Sequence, residues 1–329
     1  GSVCVFDHTE TALSIKARFK RPSAAAATAT ATAATTATAH LIAVAGESNF
    51  SGALFPLHLA FEHRASCDAA TKSATYVLLD AAKMLATQPL DLQRHPADFV
   101  CLSFYKIFGY PTGLGALLVR KSATRLLRPR FFGGGAVSSV NPRTDSFQRH
   151  INFERKMEDG TLPFLSIIAL QHGIDQITAL GYEHIHRHTA WLAYTTARSI
   201  TELRHGNGRP VCKVYDNACT LTFGEYLERH GSIVTFNVFD ARGSVIVHER
   251  IGLRAKERNL HVRIGCFCNP GACNKHVGSL PTGWSFCDGA KALGGAVRAS
   301  FGYMSTAHDA EVLIAFVKTF RSDTSPTPP

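Results

Sequence analysis

Four short apolar runs, each closed by a polar or turn-forming residue, set the strongest constraint on how this chain folds. Leu41–Ala45 runs into GESNFSG, and Tyr76–Leu79 (YVLL) ends at Asp80. Phe99–Leu102 (FVCL) ends at SFYK, and Gly115–Val119 (GALLV) follows a Gly/Pro-rich turn. Runs of this length, apolar throughout, suit strands buried on both faces. A helical stretch from Ala81 to about Gln88 is expected between the second and third. The alternation predicts an α/β fold, a mostly parallel sheet flanked by helices.

The rest of the chain has a different texture. Residues 162–204 carry long apolar periodicity with few breakers, which predicts one or two helices. Ser232–Phe239 alternates like a half-buried strand, and Ala296–Phe301 reads as another. Thr306 to Asp309 resembles an N-terminal capping arrangement. Val312, Leu313, Phe316, Val317 and Phe320 then recur at helical spacing. The expected organisation is a large α/β part over 1–175, a smaller α+β part over 176–321 and a frayed tail over 322–329. Residues 24–39 are almost pure Ala and Thr, with no period that builds a packed face, and are expected to be an inserted surface segment.

Composition narrows the function classes. With 45% hydrophobic and 18% charged residues, wholesale disorder is excluded. The net charge of +10 suits an anionic ligand, yet it is scattered, with no basic run of the kind that marks a nucleic-acid patch. No nucleic-acid partner and no membrane segment are expected; the Ala/Thr stretch is too polar to span a bilayer. Nine cysteines with no secretory segment ahead of them point to reduced thiols and an intracellular, cytoplasmic setting. The chain opens Gly1-Ser2 rather than with Met, which is compatible with a fragment.

Four constellations can carry chemistry. Asp80 and Lys106 each follow a buried run, which places both near the carboxyl edge of the sheet, where open α/β folds bind ligands. An acid and an amine there suit pyridoxal phosphate, whose aldehyde needs a lysine and whose ring nitrogen needs a carboxylate; a plain ion pair is the alternative. Ser103 and Tyr105 flank the lysine with hydroxyls that could hold a phosphate, or belong to an ordinary turn. Cys266, Cys268 and Cys273 fall within eight residues. They read as zinc ligands with His276, as a reactive thiol in a loop made by NPG with Arg263 and Lys275 nearby, or as small buried hydrophobes. Arg298, a charge inside an apolar strand, calls for an acidic partner or a substrate carboxylate. His184 and His188 share a helix face without an acid to complete a metal set, so a solvated face is expected; no metal site is assigned.

DAAK at 80–83, ADFVCLSFYKIFGYPTGLGALLVR at 97–120 and VRIGCFCNPGAC at 262–273 resemble the pyridoxal-phosphate domain of the molybdenum cofactor sulfurases, within the class V aminotransferase (cysteine desulfurase-like) group. The similarity runs from near His8 to about Arg321. It implies a fold type I pyridoxal-phosphate transferase. Lys106 is then the lysine that holds the cofactor, Asp80 the partner of its ring nitrogen, Ser103 a phosphate ligand, and Tyr105 the sulfurases' replacement for a histidine. Asn49 matches the residue beside the phenolic oxygen, Arg298 the grip on the L-cysteine carboxylate, and Cys268 the persulfide-forming nucleophile. Thr161, in EDGTLPF, matches a loop that reaches a neighbouring subunit's cofactor, which implies a homodimer; His8 matches the ring stacked on the cofactor. The implied activity is desulfuration of L-cysteine to alanine with sulfur passed to the molybdenum cofactor. The alternatives are a general cysteine desulfurase serving iron–sulfur assembly, or an inactive interaction module. The family's phosphate-holding N-terminal loop and its molybdenum-cofactor-binding domain are expected to lie outside these residues.

Overall fold

The computed structural model describes residues 3–5, 39–71, 73–131, 133–215, 217–278 and 294–322. His8, the Ala/Thr segment up to residue 38 and the tail from residue 323 lie outside the described residues.

The first half is built on a five-stranded sheet. β1 (Val3–Val5) and β2 (His40–Ala45) lead to helix α1 (His58–Thr71), then β3 (Thr75–Asp80), β4 (Phe99–Ser103), the short helix α2 (Phe104–Phe108) and β5 (Gly115–Val119). The spatial order is β1-β2-β3-β4-β5. The first four strands are parallel, and β5 returns antiparallel to β4. All four apolar runs are therefore strands, and the sheet is mostly parallel as expected. Ile42, Val44, Val77, Leu79 and Val100 are buried against α1 residues Leu59 and Ala60. Burial of such side chains stabilises the fold by roughly 1.5–3 kcal/mol each.

One expectation needs correction here. Ala81–Gln88 is not a full helix: it closes only a single 3-10 turn at Met84–Ala86. Eight residues barely repay helix nucleation, and Pro89 blocks extension. The crossover helix of this half is instead α1, which follows β2.

A two-stranded hairpin, β6 (Val137–Asn141) with β7 (Ser146–Arg149), and helix α3 (Phe153–Met157) come next. The apolar stretch that follows forms two helices, α4 (Phe164–Leu180) and α5 (Tyr182–Thr201), broken at Gly181 with φ +78°. α4 carries straight through residue 175. Then come β8 (Cys212–Val214), α6 (Phe223–Arg229), β9 (Ile233–Phe239), β10 (Val245–Ile246), α7 (His248–Glu257), β11 (Arg263–Gly265), α8 (Pro270–Val277), β12 (Ala296–Ser300) and α9 (Ala307–Lys318). The second sheet has the order β10-β9-β12-β11, with β8 also on β9. β9 is more than half-buried: Ile233 to Val238 are all buried, because strands flank it and a core formed with α5 and α9 covers it. Thr306 and Asp309 form a reciprocal capping box at the start of α9, which then buries Leu313, Phe316 and Val317.

NPG proves to be the start of a helix and not a loop. Asn269 caps α8 by accepting a hydrogen bond from the Ala272 amide at 3.0 Å, and Pro270 occupies the first turn, where its missing N–H costs nothing. Cys266 and Cys273 are joined by a disulfide, which corrects the expectation of reduced thiols for this pair and removes both from the zinc reading. Among the described residues no helix is long and apolar enough to cross a membrane.

Candidate active site

The GESNFSG turn places Asn49. Ser48 Oγ accepts from the Phe50 and Ser51 amides at 3.3 and 3.2 Å, which folds the chain back after β2. Gly52, at φ +83°, has no room for a Cβ beside His230 and Ile233. Its carbonyl accepts from the Gly231 amide at 2.7 Å, so the turn is stitched to the segment entering β9. The carbonyl of Asn49 accepts from Arg298 Nη1 at 2.8 Å. A loop of the first half thus aims an arginine of the second.

Arg298 is half-buried on β12, with its guanidinium over the Phe267 ring at 4.9 Å. Its Nε is buried without a partner, an unmet demand for an acceptor. Burial, then the nearby Arg263, lowers its pKa to about 10; Glu47 and Cys268 oppose that shift. It stays charged at neutral pH. Arg263 faces Arg298 across the β11–β12 ladder and brings Nη2 to 4.0 Å from Cys268 Sγ. Cys268 itself is exposed. Phe267 and Cys268 both take left-handed backbone, φ +55° and +60°, which projects the thiol from the turn before α8.

Lys106 sits in α2, immediately beyond β4. Ser103 is the N-cap residue of that helix, and its hydroxyl makes no capping bond. One cavity of about 570 Å³ gathers Asn49, Tyr105, Lys106, Cys268 and Arg298, together with Lys83, Arg263 and Tyr303. Among the described residues, four cations and no acid line it. The aromatic rings of Tyr105, Phe108, Phe267 and Phe301 share its wall.

Not every expected residue reaches that cavity. Asp80 ends β3 in register with Cys101 of β4, on the edge that also carries Lys106, but its exposed side chain does not line the cavity; Oδ1 accepts from the Ala82 amide at 3.0 Å. Ser103 does not line it either. Thr161 is exposed on the loop between α3 and α4, next to Gly160, which packs on Gly135. His186 and His188 donate from Nε2 to the Leu227 and Ser305 carbonyls, at 3.1 and 2.7 Å; His184 and His188 are exposed, as expected of a solvated face, and His186 is half-buried.

Sequence reasoning missed the acid behind the cavity. Glu47, two residues before Asn49, is 2% exposed and ion-paired with Lys83 at 3.0 Å. Lys83 Nζ also donates to Ser232 Oγ at 3.3 Å. Burial pushes the Glu47 carboxyl upward, while Lys83, Arg298 and Lys106 pull it down. The acid in GESNFSG and the lysine in DAAK were visible signals, but nothing in the sequence marks them as paired.

The aminotransferase class-V family profile matches residues 12–313. The chain belongs to that family. Among curated relatives, the class-V chain is 40% identical to bovine (Bos taurus) molybdenum cofactor sulfurase over 302 residues, covering 87% of this chain and 34% of the relative. It is 40% identical to the human protein of the same name over 294 residues, with 84% and 33% covered. It therefore spans about a third of the length of these relatives. Among solved structures, the apo cysteine desulfurase of Thermococcus onnurineus NA1 superposes with a TM-score of 0.65 at 21% identity, covering 85% of this chain and 59% of that one. The Escherichia coli cysteine desulfurase CsdA gives 0.67 at 19% identity, covering 85% and 59%. These two likenesses establish the class-V fold expected from the sequence.

Proposed function

We propose that the chain is the sulfur-abstracting part of a pyridoxal-phosphate-dependent sulfurtransferase that takes sulfur from L-cysteine for the molybdenum cofactor. One observation carries the reading: Asn49, Lys106, Cys268 and Arg298, far apart in sequence, line one cavity. The relatives' shared name, molybdenum cofactor sulfurase, supports the choice of acceptor over iron–sulfur assembly.

The donor set fits the cofactor. A cavity with four cations, no acid and several rings suits an aromatic phosphate ester, and the unpartnered Arg298 Nε suits a carboxylate beside it. Lys106 would hold the aldehyde, Tyr105 the phosphate end and Asn49 the phenolic oxygen; Ser103 and Asp80 carry phosphate and ring-nitrogen roles through the family resemblance alone, since neither lines the cavity. When bound, pyridoxal phosphate supplies an electron-withdrawing ring that eases bond breaking at the substrate α-carbon. Lys106 Nζ carries the α-proton. Arg298 orients L-cysteine through its carboxylate, with its own fork fixed by Asn49 and Phe267. Cys268 Sγ takes the substrate sulfur: an S–S bond forms, the C–S bond breaks, and alanine leaves. Arg263 lies close enough to give that sulfur a positive neighbour. Exposure of Cys268 lets the sulfur be passed on.

The same proposal includes two parts, a cofactor-binding 1–175 and a 176–321 part carrying the Cys268 turn, and a homodimer in which Thr161 faces the neighbouring copy. The test is one variant with two readouts, in protein supplied with pyridoxal phosphate and L-cysteine. Cys268→Ser is expected to abolish persulfide labelling and leave cofactor binding intact. Undiminished labelling would reassign the nucleophile.

A further inference from the structure

Three sulfurs within eight residues are sorted into two classes. Cys266 and Cys273 are bonded to each other and buried, 8% and 0% exposed. Both sulfurs pack beside the Gly294 carbonyl oxygen, at 3.4 and 3.7 Å. Cys268, between them in sequence, is exposed and unbonded. The bridge ties the residue after β11 to the first turn of α8, and so spans the turn that projects Cys268.

That sorting has a chemical consequence for a sulfur carrier. A persulfide is dismantled by any thiol that reaches its inner sulfur. The thiol sulfur bonds to Cys268 Sγ, the bond from Sγ to the outer sulfur breaks, and the outer sulfur leaves as HS⁻, taking the thiol proton to become H₂S. The outer sulfur is reduced, and two cysteine sulfurs are oxidised to a disulfide. Cys266 and Cys273 are the cysteines nearest to Cys268 in sequence, and in this structure neither has a thiol to offer.

We propose that the Cys266–Cys273 disulfide is a guard. It withholds the two neighbouring thiols from the sulfur carried on Cys268, and its reduction by a dithiol turns the protein from a sulfur donor into a sulfide-releasing one. The dithiol is oxidised to its cyclic disulfide as the bridge becomes two thiols. The inference rests on the reading of Cys268 as the sulfur carrier.

The test uses the full chain, loaded with sulfur by L-cysteine turnover or by a small polysulfide and then desalted. Persulfide lifetime and released sulfide are followed without added thiol. Cys266→Ala leaves a free Cys273 thiol, and Cys273→Ala leaves a free Cys266 thiol. In at least one of these the persulfide is expected to decay about tenfold faster than in the wild type, with sulfide released in step. The double alanine variant has neither bridge nor thiol, and its persulfide is expected to last as long as in the wild type. Rapid decay in the double variant would show that the bridge acts only as a staple, and wild-type lifetimes in both single variants would remove the guard; either result overturns the proposal. Non-reducing peptide mapping checks the bridge without any loading, and free thiols at 266 and 273 in protein isolated under air would also overturn it. A wild-type protein that acquires no persulfide refutes the carrier reading instead, a result distinct from normal loading with unchanged decay.

Discussion

At the scale of single residues, the decisive feature is how few groups do several jobs. Arg298 is held by the Asn49 carbonyl, lies over Phe267 and keeps one buried nitrogen unpartnered. Lysine keeps the charge but loses the planar fork, so Arg298→Lys is expected to raise KM for L-cysteine by roughly tenfold or more, with a smaller change in kcat. Steady-state kinetics at saturating cofactor measures the split. Glu47 is the corresponding structural test. Glu47→Ala strands Lys83, whose side chain is only 13% exposed, and is expected to cost about 3–5 kcal/mol in denaturant unfolding. Lys106 and Arg298 were legible in the sequence because each is a charged type at the end of, or inside, an apolar run, and Cys268 because three cysteines cluster there; Asn49 was legible only through the family resemblance. Glu47 was not, since a buried acid and a surface acid look the same until the chain around them is folded. Asp80 was legible by position, but its side chain turns to the Ala82 amide rather than to the cavity.

At the scale of elements, local chemistry decided what could be read ahead. α9 announced itself through its cap and its spacing, and the structure has both. Thr306→Ala is expected to lower stability by about 1 kcal/mol, read as a shift in the urea midpoint without a change in slope. α1 was missed because only its first turn is strongly apolar, around Leu59 and Ala60, while its later residues are largely exposed. That helix carries His63, whose Nε2 lies 3.0 Å from Cys67 Sγ and whose pKa burial lowers to about 4. The unfolded chain takes up this proton near pH 6.5, and the folded chain resists it until about pH 4. Its contribution to stability is therefore complete above pH 6.5 and is lost as pH falls toward 4. Substituting His63→Gln is expected to flatten that part of the stability–pH curve; an unchanged slope would remove His63 as the cause. The NPG segment shows the opposite error. Its turn-forming letters read as a loop, yet Asn and Pro are also the residues that open a helix.

At the scale of the whole molecule, two main hydrophobic cores meet at a seam that is partly polar and partly apolar, with Phe50 buried against Tyr215 and Phe267. The first is built around β2 and β3 with α1, the second around β9 and β12 with α5 and α9. The seam holds the Asn49 turn, the Glu47–Lys83 pair and the cavity. Parallel sheet texture was readable because apolar runs repeat; the seam was not, because it depends on which halves meet. α4 leaves Phe164, Leu165 and Ile168 exposed, close to Thr161. The proposed homodimer is expected to appear as twice the chain mass in sedimentation equilibrium, and Leu165→Asp with Ile168→Asp is expected to shift it toward monomer. A monomer at all concentrations would remove the dimer. The central claim is that Lys106 is the amine that receives pyridoxal phosphate, and it has a rival in the same cavity, Lys83. Borohydride trapping of the protein mixed with pyridoxal phosphate, followed by peptide mapping, separates them. The pyridoxyl group is expected on Lys106 and absent from the Lys106→Ala variant; a tag on Lys83, or none at all, would contradict the account.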